Sequence, residues 1–226
     1  MKISAFVAAL AVCCCVSAHE IPQGVYMSIE DLLQQTPSDT IHFNVKKRSN
    51  FAIKMNGGND YEILHHNRAE KKMLKKQVVV YSSGDSLFIN CRQYKADKHY
   101  ALVESSGRYL IFHAGLSALT KKENAKRGAS AAAMGVMFGA LGGGLMALAS
   151  DIPRFCYALD THDNQLHMFT IEFLDEILKE VGGDVYDNFL REKQIIDSIT
   201  NKEQYNVVYK RMIDRYIPIV GEVYPN

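Results

Sequence analysis

The chain has 226 residues, 47% of them hydrophobic, with 26 basic and 25 acidic side chains. That length suits one good-sized domain or two small ones. The near balance of charge leaves no global reason to bind nucleic acid, so none is expected as a partner.

The elements begin with an export signal. Lys2 precedes the apolar run Ile3 to Val16, and Val16-Ser17-Ala18 places small residues where a signal peptidase wants them. Cleavage after Ala18 is therefore expected, and the run is too short for a spanning helix. A lipoprotein reading competes at Cys13, Cys14 and Cys15, against which Val12 stands where a small residue is needed. The expected destination is the periplasm or the outer-membrane surface, or secretion. Residues 19–226 read as one domain with three parts: a β-rich portion (19–127), a glycine- and alanine-rich insert (128–150), and a hairpin followed by C-terminal helices (151–226).

Ser28-Ile29-Glu30-Asp31 has the pattern of a capping box and predicts a short helix through Leu33, stopped by Pro37. The period then changes to two. Ile41 to Val45 and Phe51 to Met55 both alternate, which predicts strands. Gly57-Gly58-Asn59-Asp60 predicts a turn into Tyr61 to Leu64. Asn67 with Glu70 marks a helix start. Val78 to Tyr81, Ser86 to Gln93, Tyr100 to Glu104 and Arg108 to His113 then read as hairpin strands, and so do Arg154 to Leu159 and Gln165 to Phe169. No helical crossover separates them, so antiparallel pairing is expected. Thr170 caps a helix whose apolar positions run from Ile171 to Val181, with Gly182-Gly183 ending it. Val185, Tyr186, Phe189 and Leu190 begin a second helix. Thr200-Asn201-Lys202-Glu203 opens a third, which Pro218 is expected to close. The fold class is α+β: an antiparallel hairpin meander with a Gly/Ala-rich helical insert and C-terminal helices.

Several of these motifs together carry a resemblance. They are Gly24-x-Tyr26-x-Ser28-x-Glu30-Asp31 with Pro37, the turn Gly57-Gly58-Asn59-Asp60-Tyr61, and Arg154-Phe155-x-Tyr157-x-Leu159-Asp160. In these the chain resembles a group of exported proteins of unknown function from Gram-negative anaerobes, which often carry a glycine- and alanine-rich insert before a similar final hairpin. The resemblance implies an envelope location and transfers no catalytic residue.

Motifs of known chemistry are scarce. Gly115-Leu116-Ser117-Ala118-Leu119 lacks the final glycine of a nucleophile elbow, and no His-Glu-x-x-His, Cys-x-x-Cys or phosphate loop occurs. No cofactor is expected. Asp160, His162, Asp163 and His167 bracket one turn with oxygen and nitrogen ligands that a metal could accept, although a hydrophilic hairpin tip explains them as well. Cys91 with His99 or His113 is the candidate for a thiol nucleophile in an unrecognised hydrolase. Cys91 and Cys156 form an even pair in an oxidising compartment, which permits one disulfide or two separate buried thiols. Charge is uneven: Lys46 to Lys76 holds nine basic and three acidic residues, and Asp160 to Asn226 holds seven and thirteen. Two solvated faces of opposite sign account for this, and a basic patch touching anionic lipid or glycan is the sharper reading.

The insert carries the strongest hint of function. Ala131, Gly135, Gly139, Gly143 and Ala147 fall four apart, so a helix would align them as one small-residue stripe. Each glycine costs about 1 kcal/mol against alanine in a solvated helix, so such a helix needs a close backbone partner. A membrane span would leave Lys121, Lys122, Lys126 and Arg127 on the outer side, against the positive-inside bias. The expectation is binding or assembly without catalysis, by self-association or an envelope protein partner through residues 131–147. A membrane-inserting or pore-like protein is the alternative, with contact to lipid.

Overall fold

The computed structural model describes residues 21–116 and 154–222. The signal segment, Cys13 to Cys15, the insert and its stripe lie outside them.

The N-terminal strand β1 (Gly24–Tyr26) is followed by α1 (Ile29–Leu33), β2 (Val45–Lys47), α2 (Asn50–Asn56), β3 (Tyr61–Ile63) and α3 (Arg68–Lys76). Strands β4 (Val80–Ser82), β5 (Leu87–Asn90), β6 (Tyr100–Ser105) and β7 (Tyr109–Ala114) come next. Beyond the undescribed stretch lie β8 (Phe155–Asp160), β9 (Leu166–Met168), α4 (Ile171–Val181), α5 (Gly183–Asp197) and α6 (Lys202–Glu222). The described strands form one nine-stranded sheet in the order β1-β4-β5-β6-β7-β8-β9, with β2 and β3 attached at β6. Its pairings are antiparallel, and the fold is α+β as expected. Strand β6 is the pivot. Its first half pairs with β5 and with Tyr61 of β3, and its second half pairs with β7 through a register shift between Val103 and Ser105.

Strand alternation sorts the side chains into three apolar clusters. Val80, Ile89 and Ala101 from one half of the sheet meet Leu110, Phe112, Tyr157 and Leu159 from the other in a central cluster that α1 also enters through Ile29 and Leu32. Opposite residues of β7 and β8, with Ile111 and Ala158, face α4, α5 and α6. Val25, Tyr81 and Phe88 face α3 and the segment around Phe43. Helix α6 comes close to the sheet at Gly221, where a Cβ would stand 1.7 Å from Ser105 Oγ.

Local capping signals match the helix starts. Ser28 Oγ accepts from Asp31 N, Asn67 Oδ1 from Glu70 N, and Thr170 Oγ1 from Phe173 N. Other expectations need correction. Residues Phe51 to Met55 form helix α2, not a strand, because Ser49 caps them and Gly57 closes them. Phe51 and Met55, which imitate a buried β face, are 75% and 70% exposed. Strand β2 begins only at Val45, while Phe43 is held outside the ladder by the Tyr81 hydroxyl, which bonds both its N–H and its carbonyl. Helix α6 is capped by Asn201, whose Oδ1 accepts from Gln204 N, one residue beyond the expected Thr200. Pro218 lies inside α6, which continues because Tyr216, Ile217 and Val220 are buried against the sheet.

Candidate functional site

The most highly organised polar site gathers around the turn between α2 and β3. Gly57 and Gly58 have φ of 66° and 91°, which swings the next residue, Asn59, fully inside. Its backbone N–H donates to Lys98 O (2.7 Å) and its Nδ2 donates to Ala96 O (2.8 Å), while its Oδ1 accepts from Gly115 N (2.7 Å). Buried Arg48 donates through Nη1 to Asn59 O at 2.7 Å. Asp97 Oδ2 accepts from Gly58 N at 3.2 Å. Asp60 meets Arg154 in a two-pronged pair, Nε to Oδ2 at 3.0 Å and Nη2 to Oδ1 at 2.9 Å, and Arg154 Nη2 also reaches Gly58 O. The Tyr157 hydroxyl donates to Gly115 O at 3.3 Å.

One guanidinium, Arg154, thus pairs with Asp60, Arg48 and Asp97 bond the backbone of the turn, and the buried amide of Asn59 is used on both its oxygen and its nitrogen. Such a closed network is built to hold position, not to move protons. What it holds is specific. Gly115 follows β7 and Arg154 precedes β8, and Ala114 faces Phe155 in the ladder between those strands. Both ends of the connection that contains the insert are therefore seated on one buried turn. The neighbouring loop is strained to make this fit: Lys95, Asp97 and His99 have φ of 57°, 71° and 69°. A Cβ on Gly58 would stand 2.6 Å from the His99 ring, so the turn and that ring pack as only glycine permits.

Beside this network lies an open cleft of about 100 Å3 between α3, β3 and the β5–β6 loop. Its floor is tied down, since Tyr100 Oη donates to Leu74 O (2.7 Å) and Asn90 Nδ2 to Leu74 O and Val78 O.

The residues singled out in the β8–β9 turn do not converge. Arg108 donates from Nε and Nη2 to Asp160 Oδ2 at 3.3 and 3.2 Å, and Asp160 Oδ1 accepts from His162 N. Asp163 Oδ1 accepts from Gln165 N, and the His167 ring stacks on Phe173 at 5.3 Å. No group of three or more potential metal ligands occurs among the described residues. The turn is tied instead to the β5–β6 loop, by the Tyr94 hydroxyl donating to Asn164 Oδ1.

Cys91 and Cys156 are both free thiols, the second of the two arrangements that the sequence permits. The reason is the pleat: Cys91 belongs to the central cluster, and Cys156 points the other way, toward the C-terminal helices. Burial pushes both thiols far above their ordinary pKa, so neither supplies a thiolate. His113 is engaged with Glu104 at 2.7 Å. No helix among the described residues is long and apolar enough to cross a membrane.

A family model described as Family of unknown function (DUF6563) matches residues 24–210. The chain belongs to that family. The match runs from β1 into α6 and takes in every residue of the Asn59 network and the cleft. No curated protein and no solved structure matches the chain. Within this DUF6563 chain, two motifs that the sequence presents far apart, Gly57 to Tyr61 and Arg154 to Asp160, meet at the Asp60–Arg154 pair. The sequence showed both motifs but not their contact, which spans 94 positions.

Proposed function

We propose that this chain is an exported cell-envelope protein of a Gram-negative anaerobe that acts by binding or assembly and not by catalysis. The observation that carries the reading is the seating of Gly115 and Arg154 on the buried Asn59–Asp60 turn. It makes the folded domain a firm mount for the connection between β7 and β8. The sequence of that connection supports the rest: five small residues four apart, from Ala131 to Ala147, have the spacing that a helix would align into a stripe suited to close contact with a second copy or an envelope protein. Export is supported by Lys2, the apolar run and Val16-Ser17-Ala18.

The test is Gly139→Leu, which places a bulky side chain in the middle of the stripe. Light scattering on the purified protein and on material cross-linked in cells should show loss of the assembled species, with the far-ultraviolet spectrum kept. Unchanged assembly would end the stripe's role. Retention of the wild-type chain in membranes after an alkaline carbonate wash would favour the membrane-inserting alternative.

A further inference from the structure

The cleft beside the Asn59 network is lined by cationic and imidazole groups from separate parts of the chain. Helix α3 supplies Lys71 and Lys75, one turn apart on the same side, the β5–β6 loop supplies Arg92 and His99, and His65 stands at the edge. Glu62 is the one carboxylate in the lining. Lys71, Lys75 and Arg92 form no ion pair with a carboxylate among the described residues, and Asp60, in the neighbouring turn, is taken by Arg154. The three cations therefore stand together with Glu62 as the one carboxylate of the lining, on a floor that Asn90 and Tyr100 make rigid.

We propose that this cleft binds a phosphate group, held by Lys71, Lys75 and Arg92 with His99 beneath it. The size admits such a group. A cleft of about 100 Å3 accommodates one tetrahedral anion, and its open side leaves room for whatever the phosphate is attached to. Charge points the same way, because a phosphate monoester is close to a dianion at neutral pH and a single carboxylate would leave the cations in excess. Burial first and then Arg48 hold the His99 ring below its ordinary pKa; Glu62 acts in the opposite sense, ahead of the smaller lowering by Arg92 and the smaller raising by Asp97. The left-handed backbone of His99, φ of 69°, fixes the ring at the cleft and against Gly58. The phosphate could be a free ion or small ester, or the head group of a lipid. The recognising groups are the same for both.

Calorimetric titration of the purified chain with inorganic phosphate, at constant ionic strength set with chloride, tests the site. Saturable binding should weaken roughly tenfold or more in Lys71→Ala/Lys75→Ala. It should change less than about twofold in Lys72→Ala, which keeps the same helix but does not line the cleft. Because Lys71 and Lys75 are exposed, these variants should keep the wild-type urea midpoint. Arg92→Gln, judged against its own urea midpoint, should weaken binding as the double variant does. Absence of saturable binding at millimolar phosphate, or equal loss in Lys72→Ala and the double variant, would overturn the site. Sedimentation with phosphatidylcholine vesicles, with and without phosphatidic acid, identifies the source. Phosphatidic acid-dependent pelleting that the double variant abolishes assigns a lipid head group, and calorimetric binding without pelleting assigns a soluble phosphate.

Discussion

Asn59→Ala is the most direct probe of the network that seats the β7–β8 connection. The side chain is fully buried and satisfies two backbone groups distant in sequence, the carbonyl of Ala96 and the N–H of Gly115. Truncation leaves both without their side-chain partner inside the protein. Each orphaned buried group costs about 1–3 kcal/mol, so the loss should be about 2–6 kcal/mol before any lost packing is added. With a urea slope of ~2 kcal/mol/M, a loss of about 4 kcal/mol, the middle of that range, moves the midpoint down by about 2 M. The control is Asn201→Ala, which removes the cap of α6 at an exposed position and should cost about 1 kcal/mol. Urea titrations followed by tyrosine fluorescence and by far-ultraviolet circular dichroism give both numbers, and coincident transitions check that one cooperative unit is being measured. If Asn59→Ala costs no more than Asn201→Ala, the network is ornament and the seating argument fails.

The cysteines offer a second check. Without reductant, the native chain should leave Cys91 and Cys156 unreactive toward a thiol reagent, and denaturant should expose two titratable thiols from these positions. None after denaturation would mean that they are bridged. A third prediction concerns acid. Asp175 accepts from the Tyr186 hydroxyl at 2.8 Å and pairs with Lys193, and the Lys193 bond above all holds its carboxyl below the usual carboxylate range. A carboxylate whose folded pKa lies below its unfolded value adds stability that is present above about pH 4 and is lost as pH falls through the folded value. The wild type should therefore be more stable than Asp175→Asn at pH 7, and the gap in urea midpoint should close by pH 2–3. A gap that stays constant across that range would contradict the pairing.

Much of the helical frame was legible because capping is local. Ser28, Asn67 and Thr170 each act on a backbone N–H three residues away, so the pattern and its effect share one short window. The hairpins were legible for the same reason: turn residues and alternation lie side by side. Alternation misled at Phe51 to Met55, where Phe51, Ile53 and Met55 repeat every second residue but only Ile53 is buried. There the Ser49 cap and the Gly57 stop outweigh the pattern. Pro218 misled because a lost helical hydrogen bond is outweighed by the burial of Tyr216 and Val220. The Asn59 network could not be read from the chain at all. Its bonds join positions 59 with 115 and 60 with 154, and only the folded sheet brings β3, the β5–β6 loop and the β7–β8 ends to one place. The cleft was half legible. The basic run from Lys46 to Lys76 announced a cationic surface, but Arg92 and His99 join it only because β5 and β6 pair beside α3.

The proposed function requires the described domain to fold without the inserted segment and assembly to require it. Replacing residues 128–150 by a short Gly-Ser linker tests it directly, with the urea midpoint and the light-scattering mass measured on the same sample. Ala114 and Phe155 already face each other, so the ladder should survive, and roughly halving the connection should lower its closure cost by about 0.6 kcal/mol. The account predicts a midpoint equal to or slightly above that of the intact chain, together with loss of the assembled species. A collapsed midpoint, or assembly that persists without the segment, would contradict it.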